Sequence, residues 1–479
     1  MANLKSLAKD TAIYGISSIV GRFLNYLLVP VYAAAMSAAS GGYGVITEVY
    51  AWTALLMVVL TYGMETTFFR FVNKENEQPE RVYSTVLTMV GSTSLLFALL
   101  CTLFLPQIAQ FTGYADHPWY VGMMVWVVAM DAFQSIPFAY LRYKQRALHF
   151  AALKMLFIVL NIAINVVYYV FLGGKDVFFA FLFNLICTSI IMVLLVPQLH
   201  FKGGFDRILA RRMLSYSYPI LILGIAGILN QVADKIIFRH IYPDATEGQK
   251  LLGIYGACSK IAMIMAMLTQ AFRYAYEPFV FGKSKDADSR VVYAKAMKFF
   301  VIFTLLAFLA VMFYLDVLKY ILAPDYWSGL RVVPIVMIAE IFMGVYFNLS
   351  FWYKLIDQTR WGAYFSFAGC AVLIGVNVVF VPVYGYMACA WAGFAGYGVA
   401  MLLSYFVGQR KYPIRYDLVG IGKYVLLAAV LYAVAELIPF SSLWILLPIR
   451  TLLLLVFVAY ILHKDLPLKQ LPVVGKYFR

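Results

Sequence analysis

The chain has 479 residues, of which 63% are hydrophobic and 13% charged, with a mean hydropathy of +0.83. A soluble domain is nearer half apolar and a quarter charged, so an aqueous globular fold is excluded. The formal charge of +15 does not indicate nucleic acid, because the basic residues fall in short clusters between apolar runs instead of on one module.

A helix needs about 20 apolar residues to cross the hydrocarbon core. Runs of that size are predicted at 9–36, 43–69, 82–106, 119–141, 151–172 and 177–197, one block of six. A polar stretch with Lys202, Asp206, Arg207, Arg211 and Arg212 follows. A second six lie at 214–241, 251–281, 296–322, 331–353, 361–382 and 386–408, and two further runs at 418–438 and 442–462 close the chain. The first run is too long for a signal-peptide core and is expected to act as its own insertion signal. The expected fold is therefore an all-α integral membrane protein of about fourteen transmembrane helices. It divides into a six-helix bundle at 1–200, a second at 201–410, and two extra helices with a tail at 411–479.

Most of the 38 Lys and Arg fall in alternate connections, such as Arg142, Lys144 and Arg146, or Lys283, Lys285 and Arg290. The opposite connections at 37–42, 383–385 and 439–441 carry no charge. Positive residues stay on the cytoplasmic side, so both termini are expected there. The five cysteines stand singly in apolar runs and read as packing residues. The five histidines lie in or near loops without metal-ligand spacing, and no segment carries a nucleotide-binding glycine loop. No metal or cofactor is expected.

A shift of 212 residues superposes the two blocks of six: Tyr43-Gly44 falls on Tyr255-Gly256, Glu48 on Lys260, Glu65 on Glu277, Ser18 on Asn230 and Arg22 on Asp234. Each block holds an even number of helices, so duplication implies parallel repeats about an axis along the membrane normal.

Ionisable groups inside a bilayer are costly and usually face a partner or a cavity. Arg22 and Glu48 sit at similar depth and are expected to pair, with Asp234 and Lys260 repeating the arrangement in reversed polarity. Two readings stay open: bridges that pin helices within each half, or the charged lining of a chamber. Toward the cytoplasm stand Glu65, Arg273 and Glu277, the last two one helical turn apart. Arg22, Lys260 and Arg273 are the candidate cations for an anionic headgroup. Glu48, Glu65, Asp131, Asp234, Glu277 and Glu340 are the candidate charge-balancing or ion-coupling acids. Glu65 beside Arg70 and Glu277 beside Lys283 also read as interfacial pairs. Asp131, Gln134 and Ser135 precede Pro137, which predicts a polar, bent helix 4, and Asn161 and Asn165 share a face of helix 5. Ala388, Ala392, Gly396 and Ala400 form a small-residue stripe suited to close packing.

Several segments carry a family likeness: GRFLNYLLVPVY at 21–32, YGMETTFFRF at 62–71, YLRYKQRALHFAALK at 140–154, SYPILILGIAGILNQVADKIIF at 217–238 and LGIYGACSKIAMIMAMLTQAFRYAYEPFVF at 252–281. Together the set resembles the O-antigen type polysaccharide flippases of the multidrug/oligosaccharidyl-lipid/polysaccharide exporter superfamily. The resemblance implies two six-helix bundles around a cavity that opens to alternate sides. The implied substrate is a polyprenyl-diphosphate-linked oligosaccharide, moved to the periplasmic leaflet of the bacterial inner membrane, with polymerase and glycosyltransferases as partners. Arg22 and Arg273 match cationic cavity positions of that family, while helix 2 offers Glu48 and Glu65 where a cation is expected. Helices 13 and 14 extend the twelve-helix core, as in lipid II flippases, either holding the lipid tail or widening the scaffold. The rival expectations are an ion-coupled multidrug or cation antiporter of the same superfamily and a membrane-embedded polymerase, ligase or acyltransferase.

Overall fold

The computed structural model describes residues 27–73, 77–273, 290–356, 358–438 and 442–465, and the backbone alone at 274–282 and 289. Among them there is no strand, and thirteen helices are long and apolar enough to cross a membrane. The chain is a multi-pass membrane protein.

The helices follow the predicted runs. The described end of the first, α1, is Leu28–Ala35; then come α2 (Gly42–Val72), α3 (Pro79–Leu103), α4 (Pro118–Tyr143), α5 (Ala147–Phe171), α6 (Val177–Gln198), α7 (Arg207–Ile241) and α8 (Ala245–Gly282). After these follow α9 (Ser289–Phe313), α10 (Pro324–Leu355), α11 (Arg360–Tyr384), α12 (Tyr386–Lys411), α13 (Leu418–Glu436) and α14 (Leu443–Lys464). Two boundaries differ from expectation. The polar stretch after α6 is mostly the first turns of α7, because Asp206 caps the Ile208 and Leu209 amides at 2.9 and 3.0 Å. Where one run was expected to 322, α9 stops at Phe313, and Asp316 and Lys319 sit in the short turns that follow.

Asp176, Asp244 and Asp417 cap the starts of α6, α8 and α13 in the same way. Pro79 and Pro118 occupy first-turn positions, where the missing N–H is harmless. Pro137 sits inside α4, which stays continuous through it. By contrast α2 breaks at Tyr62–Gly63, both left-handed, with φ of 32° and 72°. Glycine suits the second position twice over, since a Cβ there would also lie 2.8 Å from the Ile220 side chain of α7.

The chain forms two compact units, Met1–Ala257 with Leu373–Cys389, and Cys258–Val372 with Ala390–Arg479. In the first, α4 is the central element: it packs on α2, α3, α5 and α6, and 67% of its apolar window is buried, against 22% for α14. Its core on the side of the basic connections joins Phe68, Tyr83, Ile136, Tyr140 and Met213. The connection after α6 is fastened there, with Gly203 N–H on Ser84 Oγ at 3.0 Å and His200 between Glu80 (3.0 Å) and Tyr140 (3.2 Å). In the second unit α9 packs against α10, α13 and α14. Lys298 of α9 reaches Asp417 at 3.0 Å and Asp465 at 2.6 Å, and Tyr424 donates to Asp465 at 2.6 Å. At the other end Arg450 of α14 reaches Asp316 at 2.9 Å, beside Lys319 at 2.7 Å. These two clusters make α13 and α14 integral parts of the unit. The stripe on α12 is buried at Ala388, Ala392 and Ala400.

Candidate functional site

The charged groups expected inside the membrane fall into separate places. Arg22 lies outside the described residues, as do the side chains of Glu277 and Lys283.

Where α2 begins, Glu48 has no solvent exposure. An isolated carboxylate at such a depth would be prohibitively costly, so partners must neutralise it. Tyr114, from the connection before α4, donates to Oε2 at 2.7 Å, and Gln249 of α8 donates to Tyr114 at 3.1 Å. Arg239 of α7 stands 3.7 Å from Oε2 and His240 3.7 Å from Oε1. Arg239 is itself held by the Gly113 carbonyl at 2.5 Å and lies over the Tyr114 ring. Backbones approach closely beside this cluster: a Cβ on Gly44 of α2 would fall 1.9 Å from the Gln249 carbonyl oxygen, and one on Gly256 of α8 2.3 Å from Thr47. Gly44 and Gly256 are partners in the 212-residue register, and both stand in the α2–α8 crossing.

Asp234 of α7 is bound within the first unit by Lys235, at 3.0 and 3.1 Å, and by the Tyr255 hydroxyl at 2.7 Å. The neighbouring lysine thus serves the carboxylate for which Lys260 was the expected partner; Lys260 belongs to the second unit and is half-buried.

Mid-span, α2, α4, α5 and α6 bring polar groups together. Asn184 donates to the Tyr50 hydroxyl at 2.6 Å, Thr188 donates to Asp131 at 3.3 Å, and Gln134 donates to the Thr188 carbonyl at 2.9 Å. Asn165 of the same unit bonds Asn161 and accepts from Tyr32 at 2.9 Å. Lys154 of α5 shares the helix face of Ile158, Asn161 and Asn165. Its ammonium sits 4.0 Å above the Phe138 ring, and its charge interacts with Asp131 and Glu65. Sequence reasoning passed over Lys154 because it adjoins the basic connection of Arg142, Lys144 and Arg146, and so reads as topology. Its helical spacing to the buried asparagines was the available signal.

Toward the basic connections Glu65 pairs with Arg142 of α4. The expected neighbour, Arg70, lies over the Tyr216 ring at 4.2 Å. In the second unit the Arg273 guanidinium lies 5.2 Å from the Phe347 ring centre, and Glu340 is half-buried in α10. A cation over an aromatic face has its charge partly stabilised by the ring.

The family model described as "Polysaccharide biosynthesis protein" matches residues 7–275. No curated protein matches the chain by sequence. Among solved structures, the lipid II flippase MurJ in an inward closed conformation superposes with a TM-score of 0.75 at 14% identity, covering 94% of this chain and 99% of that one. An inward-facing multidrug resistance MATE family transporter of the MOP superfamily gives 0.64 at 14% identity, with coverage of 81% and 93%. The MATE multidrug transporter DinF-BH gives 0.62 at 17%, with 85% and 96% covered. The chain shares its fold with these solved structures.

Proposed function

Because the chain belongs to the polysaccharide biosynthesis protein family, we propose that it flips a polyprenyl-diphosphate-linked oligosaccharide from the cytoplasmic to the periplasmic leaflet of a bacterial inner membrane by alternating access. The observation that carries this reading is a cation inside a membrane-spanning helix of each unit, Lys154 in one and Arg273 in the other. Guanidinium and ammonium donors are what a diphosphate requires. The basic connections, on the side of Lys144 and Arg212, are taken as cytoplasmic, with both termini there.

The need for such a protein follows from desolvation: each sugar hydroxyl taken unpaired into hydrocarbon costs several kcal/mol. A polar path removes most of that barrier while the lipid tail stays in the bilayer. Where an ion gradient drives the cycle, one charge crossing 100 mV supplies about 2.3 kcal/mol. Arg22, Lys260 and Arg273 are assigned to the headgroup, and Glu48, Glu65, Asp131, Asp234, Glu277 and Glu340 to charge balance or coupling. Glycosyltransferases would make the substrate and a polymerase would consume it.

The rival reading, an antiporter of cationic drugs, draws support from the multidrug transporters among the structural neighbours and from the acids of the first unit. Proteoliposomes separate the two. Reconstituted protein is expected to expose a fluorescent lipid-linked sugar to an impermeant quencher and to leave cationic dyes where they are. Dye export without sugar flipping would reverse the assignment.

A further inference from the structure

The connection between α6 and α7 carries a surface that the transport of a solute does not call for. Phe201 and Phe205 are each 54% exposed, and Ile208, in the first turn of α7, is 75% exposed. The exposed cations Lys202, Arg207 and Arg211 are interleaved with them. The backbone fixes this alternation. Gly203 and Asp206 donate their amides to the hydroxyls of Ser84 and Thr85, adjacent residues of α3, at 3.0 and 3.3 Å. Between them Gly204 turns the chain with a φ of 68°. Leu209 and Met213 bury the opposite face of α7 in the core, so Arg207 and Arg211, about one turn apart, share the outward face with Ile208.

Nearby acids do not neutralise these charges. Asp206 is the only acidic residue between positions 199 and 233, and it is occupied by the α7 amides and by Arg81 at 3.5 Å. On the facing start of α3, Glu77 pairs with Arg212, and Glu80 with His200 and Lys144. Among the described residues no carboxylate pairs with Lys202, Arg207 or Arg211. The depth of the surface follows from helix length. The 35 residues of α7 measure about 52 Å, against a hydrocarbon core of about 30 Å. A tilt of about 20° takes up only about 3 Å of the difference, so the charged first turns stand in the headgroup layer. Topology asks only for positive charge on this side; it does not account for two phenylalanines and an isoleucine left bare between the charges. A phospholipid with an anionic headgroup meets both demands, its phosphate accepting from the cations while its acyl chains cover the apolar groups.

We propose that residues 201–211 form a binding surface for anionic phospholipid of the leaflet on the side of the basic connections. The phosphate lies at Lys202, Arg207 and Arg211, and an acyl chain lies against Phe201, Phe205 and Ile208. The surface selects resident lipid by headgroup charge, and it is separate from the intramembrane groups assigned to the transported solute.

The test titrates the full chain in detergent with phosphatidylglycerol or phosphatidylcholine, read by native mass spectrometry. Amide exchange is then followed in phosphatidylcholine nanodiscs with and without phosphatidylglycerol. Each cation facing an anionic headgroup multiplies affinity about fivefold. Wild type is therefore expected to prefer phosphatidylglycerol by about a hundredfold, and exchange at 199–212 to slow when that lipid is present. The triple variant Lys202→Gln, Arg207→Gln and Arg211→Gln is expected to lose both the preference and the exchange response while still binding phosphatidylcholine. Phe201→Ser with Phe205→Ser and Ile208→Ser keeps every charge, and with it the topology, and is expected to weaken both lipids alike. Arg207→Lys with Arg211→Lys guards against misfolding and is expected to keep the preference. Equal affinity of wild type for the two lipids, a preference undiminished in the glutamine variant or lost in the lysine variant, or full lipid affinity in the serine variant overturns the proposal. So does slowed exchange elsewhere without any at 199–212. Displacement of the lipid by glycerol phosphate, or by an acidic peptide, also overturns it, assigning the surface to a soluble anion in the first case and to a protein in the second.

Discussion

Replacing Gly44 by alanine addresses a close helix contact in the first unit. The added Cβ would lie 1.9 Å from the Gln249 carbonyl oxygen and 3.1 Å from the Gly253 nitrogen. Ordinary contact begins near 3.4 Å, so α2 and α8 must separate by roughly 1.5 Å, and the obstacle is backbone, which cannot rotate aside as a long side chain would. Overpacking of this kind costs about 1–3 kcal/mol. The Glu48–Tyr114–Arg239 cluster lies about one turn away and would loosen with it. A penalty of about 2 kcal/mol lowers the ratio of closed to open crossings by roughly thirtyfold. Amide hydrogen exchange reads this directly: protection at 42–50 and 249–256 is expected to fall by about that factor, while α13 and α14, in the other unit, keep theirs. Unchanged exchange at both segments in a protein of unchanged melting temperature would refute the reasoning.

Glu48→Gln should lower thermal stability by about 1–3 kcal/mol, because the Tyr114 hydrogen bond survives in weaker form while the attraction to Arg239 and His240 is lost; a melting curve identical to wild type would count against the cluster. The clamp at the far end of α14 has an acid dependence of definite sign. Burial alone would raise the Asp316 carboxyl, but the hydrogen bonds and charges of Lys319 and Arg450 outweigh it and hold the group below its ordinary value. Stability from a depressed carboxyl is complete above the unfolded value of about 4 and is lost as pH falls through the folded one. Exchange in α13 and α14 is therefore expected to rise only below about pH 4, and Arg450→Met to raise it at neutral pH while flattening the acid response; an acid response of full size in that variant would dissociate it from Asp316.

Helix placement was legible because crossing a bilayer demands long apolar runs, and little else in a sequence looks like one. What escaped were ends set by single residues, such as the Asp206 cap that starts α7 well before its apolar run. Pairing was harder to read. Glu65 reaches Arg142, 77 positions away, and Asp234 takes the adjacent Lys235. Depth along a helix restricts which charges can meet, but azimuth decides, and azimuth follows from packing. The repeat register did carry information of another sort: Gly44 and Gly256 mark the same crossing from its two sides. Lys154 was hidden by its neighbours, since a lysine about two turns past Arg146 resembles an anchor until the face it shares is counted.

The strap of residues between α6 and α7 is riveted along its length, at His200, Gly203 and Asp206, to α3 and α4. A slack strap absorbs a displacement, and a riveted one transmits it. Any tug on the start of α7 is therefore felt at once by Glu80 and Tyr140, and the helices of the first unit to which they belong travel with it as one piece of machinery.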